Sequence, residues 1–113
     1  MRVVIGAWVV AGLLAMTSPA VSQVQFRADD LLAMCDSKSR ERECLMFISG
    51  VAMGHLSSTA ISKSKAMFCN QPGVTWEQSG RIVAAYIRRN PKVHHLEAAH
   101  VGLLALAAEF PCR

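Results

Sequence analysis

Cysteine, histidine and carboxylate side chains are the groups in this 113-residue sequence that can carry redox, metal or acid–base chemistry. The cysteines are Cys35, Cys44, Cys69 and Cys112, and no two form a CxxC pair, which removes the spacing that redox catalysis and structural zinc sites ordinarily use. The histidines do no better. His95 and His100 bracket Glu97, but they stand about 140° apart round a helix, whereas zinc ligation from one helix needs an i, i+4 pair. His94 and His100 are about 120° apart, and His55 is isolated. Asp29 with Asp30 and Glu41 with Glu43 are carboxylate clusters whose members diverge on a helix, so they read as dipole partners at helix starts and as solvated faces. The sequence has no GxSxG elbow and no glycine-rich phosphate loop. It therefore predicts no catalytic centre, no metal and no cofactor.

The compartment decides what the cysteines do instead. Met1 and Arg2 precede an apolar stretch from Val3 to Met16, and Thr17, Ser18, Pro19 and Ala20 follow, the layout of a secretory signal. That stretch is shorter than the roughly 20 apolar residues a spanning helix needs. Cleavage is expected after Ser22, with Ala20 as the alternative. Residues 1–22 are then the signal peptide and 23–113 the exported domain, with no membrane attachment once the leader is gone. Removing Arg2 lowers the formal net charge from +4 to +3. Such a mild, dispersed excess does not argue for nucleic acid. An even number of thiols in an oxidising compartment reads as a disulfide framework.

Apolar periodicity places the cysteines on helices. Ala28, Leu31, Leu32 and Cys35 at i, i+3, i+4, i+7 predict a first helix from about Arg27 to Cys35, with Asp29 and Asp30 in its first turn. A charged connection from Asp36 to Glu43 leads to a second helix, opened by Cys44, Phe47, Ile48 and Val51 and running to about Ile61. Gly50 and Gly54 within it predict close approach of a neighbouring helix. From Ser57 to Lys65 the periodicity is lost, which predicts a frayed end and a surface loop. Thr75 and Gln78 form a capping box for a third helix with a stripe of Ile82, Val83, Tyr86 and Ile87, ended by Asn90 and Pro91. A fourth helix is predicted from about Val93 to Phe110, apolar almost all round, as suits a central or interface helix.

A short connection makes helices three and four an antiparallel hairpin, which brings Cys69 beside Cys112. The same reasoning sets Cys44 beside Cys35. The fold class that follows is all-α, a small four-helix bundle stapled by Cys35–Cys44 and Cys69–Cys112. The two crosslinks contribute about 3 and about 4 kcal/mol in the chain-entropy account.

From Leu31 to Cys112 the chain resembles the Rap/Tai family of immunity proteins, which protect bacteria from peptidoglycan amidase effectors delivered by type VI secretion. The resemblance is carried by Leu31, Leu32 and Cys35; by Cys44, Phe47, Ile48, Gly50, Val51 and Gly54; by Cys69, Pro72, Val74, Thr75 and Gln78; and by Tyr86, Asn90, Pro91, His95, Ala105, Phe110, Pro111 and Cys112. It implies a periplasmic helical bundle, commonly a homodimer, that binds a cognate amidase and blocks its cleft. The family often has Tyr where this chain has Phe47, an acidic residue near Ala52 or Met53, and an apolar residue where Asn70 and Gln71 precede the proline. Such surface differences bear on which effector is bound.

The residues from Ser57 to Phe68 are the candidate contact segment, with Met67 and Phe68 as anchors and Lys63 and Lys65 as rim charges that speed association with an acidic partner, set against an ordinary solvated loop with Phe68 tucked into the core. The broad apolarity of the fourth helix offers a second surface for self-association. A rival reading is a small periplasmic acid-stress chaperone, whose carboxylates and histidines would gain positive charge and loosen the bundle as pH falls.

Overall fold

The computed structural model describes residues 25–113, so the expected signal peptide lies outside the described residues. Four helices follow in chain order: α1 (Ala28–Asp36), α2 (Glu41–Ser62), α3 (Trp76–Arg89) and α4 (Ala98–Glu109). Single 3-10 turns at Lys38–Arg40 and Pro91–Val93 precede α2 and follow α3. Among the described residues there is no strand, only an isolated bridge between Arg27 and Glu97.

Both sulfur crosslinks are the expected ones. Cys35, near the end of α1, meets Cys44 in the first turns of α2 with Cα atoms 5.0 Å apart, and Cys69 meets Cys112 at 4.9 Å. The link from α1 to α2 is tighter than the charged connection the sequence suggested. α1 runs on to Asp36, and the α2 start is set by Arg40, whose guanidinium holds Glu43 at 2.8 Å. A second exposed ion pair, Arg88 to Asp36 at 2.6 Å, joins the ends of α3 and α1.

Three local expectations are corrected. α2 does not fray at Ser57 but continues to Ser62, where Lys63 turns the chain with φ +54°. Helical hydrogen bonding needs no apolar stripe, and here Thr59 and Ser62 donate back to the Leu56 and Ser58 carbonyls at 3.0 and 2.9 Å. α4 begins at Ala98 rather than Val93. The intervening carbonyls are taken by the start of α1: Ala28 N–H donates to Leu96 at 2.9 Å and Asp29 N–H to His94 at 3.1 Å. His95 and His100 therefore do not share a helix. The close-approach glycine is Gly80 rather than Gly50 or Gly54: a Cβ at Gly80 would stand 3.1 Å from Leu45, whereas the other two have open space around them.

The Thr75 capping box forms as expected, with the Thr75 hydroxyl accepting from Gln78 N–H at 3.2 Å and the Gln78 side chain accepting from Thr75 N–H at 2.8 Å. The buried face of α3 is Ser79, Gly80, Val83, Ala84 and Ile87, leaving Ile82 and Tyr86 half-buried. Gly80 in that stripe lets α3 settle against α2. Leu31, Ile48, Phe68, Val83, Ile87, Val101 and Leu106 fill the centre. Most of the apolar breadth of α4 faces this core or its margin, with Val101, Gly102, Ala105 and Leu106 buried and Leu103, Leu104 and Ala107 half-buried.

Candidate partner-binding surface

The four cysteines and two of the histidines are engaged structurally. All four cysteines are in disulfides. Among the described residues no group of three or more His, Cys, Asp or Glu is placed to hold a metal ion. His94 donates from Nε2 to the Ile87 carbonyl at 2.7 Å, tying the turn after α3 to that helix. His55 accepts at Nε2 from the Met67 backbone N–H at 2.9 Å.

Surface contact is what the arrangement can offer, and one exposed apolar area surrounds the Cys69–Cys112 staple. The expected contact segment divides there. Lys63 and Lys65 are exposed, and Met67 is 39% exposed. Phe68 is corrected from anchor to core: it is 2% exposed and its ring stacks on His55 with centroids 5.9 Å apart. The reason lies one residue on. Cys69 is crosslinked to Cys112 and its N–H donates to the Phe110 carbonyl at 2.9 Å, so the segment is drawn onto the end of α4 and Phe68 is carried inward.

Two apolar side chains that sequence reasoning missed complete this face. Val74 is 37% exposed and Trp76 38% exposed. Both line a cleft of about 200 Å³ whose floor includes Phe68, Leu106 and Phe110 and whose rim carries Asn70 and Gln71. On the other side of Val74 and Phe110 lies a second concavity flanked by Arg81, Arg89 and Glu109. The available signal was Trp76 itself. It occupies the first helical position after the Thr75 cap, outside the stripe that α3 buries, and a tryptophan left outside a buried stripe is a contact candidate.

A second exposed apolar area lies on α2. Met46 is 65%, Met53 58% and Ile61 85% exposed, and at helical spacing they share one side with Gly50 and Ser57. By length and composition the helical run Lys38–Ser62 could cross a membrane. Its opposite side supplies the buried Cys44, Ile48 and Ala52 of the core.

A model of the family of Rap1a immunity proteins matches residues 27–112, from the residue that precedes α1 to the last cysteine. The chain belongs to this family. The match takes in all four helices and both disulfides, so the Rap1a domain and the described bundle are one unit. Neither the curated proteins nor the solved structures contain a match. For a Rap1a immunity protein the relevant property is the outside of the bundle, and its disulfides fit an oxidising compartment.

Proposed function

We infer that this chain is a periplasmic immunity protein that binds a cognate peptidoglycan amidase effector of a type VI secretion system and blocks its cleft. The observation that carries the reading is membership of the Rap1a immunity family over nearly the whole described chain. The face around the Cys69–Cys112 staple supports it physically. Met67, Val74 and Trp76 supply partly exposed apolar anchors on backbone that is crosslinked or capped, so little ordering entropy is lost on binding. Lys63 and Lys65 at the edge of this face would steer an acidic partner. For a second copy of the chain, the α2 face is supported by the open space at Gly50 and Gly54 between the exposed Met46 and Ile61.

Co-expression with a small secreted Cys/His amidase, where the neighbouring reading frame encodes one, tests the reading. The two proteins are expected to co-purify at neutral pH and the amidase to lose its activity on peptidoglycan. A well-expressed pair that elutes separately, with the amidase fully active, overturns it.

A further inference from the structure

The segment between α2 and the Cys69–Cys112 disulfide is fastened to α2 at a point other than its ends. His55, on α2, accepts the Met67 backbone N–H at Nε2, 2.9 Å away, while its ring lies against Phe68. That bond demands a ring with Nε2 free of a proton, so the neutral Nδ1–H tautomer is required. We propose that His55 is a proton-sensitive latch that holds the Lys65–Met67 stretch against α2 while the ring is neutral and releases it when the ring is protonated. Its bearing on effector binding rests on the function inferred above.

Protonation places an N–H where the Met67 amide needs an acceptor, so two donors face each other and the bond is lost. The charged groups of the neighbouring elements offer no replacement. On α2 the nearest in sequence is Glu43; the segment itself brings Lys63 and Lys65; α3 brings Glu77 and Arg81; α4 and the tail after it bring His100, Glu109 and Arg113. Among the described residues none of these carboxylates pairs with the ring. Met67 is partly exposed, so water can take over its amide and the opening stays local. Phe68 and the disulfide hold the far end in place.

Backbone amide hydrogen exchange on the exported chain alone tests the latch, which separates its failure from failure of the immunity reading. After correction for intrinsic rates, Met67 protection in the wild type is expected to fall about three- to tenfold between about pH 7.5 and about pH 5. The Cys69 amide, bonded to the Phe110 carbonyl, is expected to stay protected throughout and so to report that the bundle remains folded. His55→Gln places an uncharged acceptor near Nε2 and should keep Met67 protected at both pH values. His55→Leu should leave it unprotected at both and speed tryptic cleavage after Lys63 and Lys65 at neutral pH. Wild-type Met67 protection that does not change with pH, or equal protection in His55→Leu, overturns the proposal. If His55→Leu fails to fold, the wild-type and His55→Gln titrations decide it.

Discussion

Thr75 and Gln78 satisfy each other's backbone amides at 3.2 and 2.8 Å, and this reciprocal cap fixes the first residue of α3, Trp76, at the rim of the cleft beside the Cys69–Cys112 staple. Thr75→Ala removes the hydroxyl acceptor and is expected to cost about 1 kcal/mol of stability. The same change should weaken effector binding by more than its stability loss explains, because Trp76 would no longer be held in one place. Urea unfolding and calorimetric titration of the purified pair check both parts. Unaltered stability would mean that the cap contributes nothing to the fold.

Trp76→Ala separates contact from stability. The side chain is 38% exposed and outside the buried stripe of α3, so its truncation should keep the helical fold at some cost in stability, whereas loss of a central aromatic anchor typically costs about 2 kcal/mol or more of binding, roughly thirtyfold in Kd. Lys63→Glu with Lys65→Glu should act differently: association slows and its salt dependence weakens, with a smaller change in dissociation. Surface plasmon resonance at two salt concentrations distinguishes the two patterns. If Trp76→Ala binds as tightly as the wild type, the face around the staple is not the inhibitory one.

Much of this arrangement was legible in the residues, and the failures share a cause. Both disulfide pairings followed from helix ends and a short hairpin, which are local quantities. The Thr75 cap was local as well. The α4 start was not, because the carbonyls of His94 and Leu96 are claimed by amides at the beginning of α1, far away in sequence. The choice between anchor and core for Phe68, and the role of Gly80, were undecided for that reason. Phe68 is drawn inward by a crosslink to the other end of the chain, and Gly80 matters because Leu45 of another helix lies against it. The glycines of α2 carried the motif for close packing, yet nothing within the described residues packs on them.

The two crosslinks are not equivalent. Cys69–Cys112 closes a sequence separation of 43 residues and Cys35–Cys44 one of 9, so in the chain-entropy account the first stabilises by about 4 kcal/mol and the second by about 3. Cys69→Ser with Cys112→Ser should therefore lower the urea midpoint more than Cys35→Ser with Cys44→Ser. It should also abolish effector binding before it abolishes helicity, since it frees the segment that carries Met67. Binding that survives loss of the Cys69–Cys112 bridge would place the effector contact elsewhere on the bundle.

The α2 face offers the last discriminating measurement. Met46, Met53 and Ile61 are exposed on one side of a helix that has no charged residue between Glu43 and Lys63. A second copy packed there would cover them, with the space over Gly50 and Gly54 admitting the partner helix closely. Met53→Glu puts a charge into the middle of that contact, where burying an unpaired carboxylate costs several kcal/mol, on the order of a thousandfold or more in self-association. Sedimentation equilibrium should then show dimer for the wild type and monomer for the variant, with unchanged helicity. An acid-stress chaperone would use the same face otherwise, staying inert at neutral pH and shielding unrelated clients at about pH 3, when carboxylates lose their charge. A wild type that is monomeric at neutral pH, yet protects such clients in acid through Met46, Met53 and Ile61, would move this face from self-association to the chaperone reading.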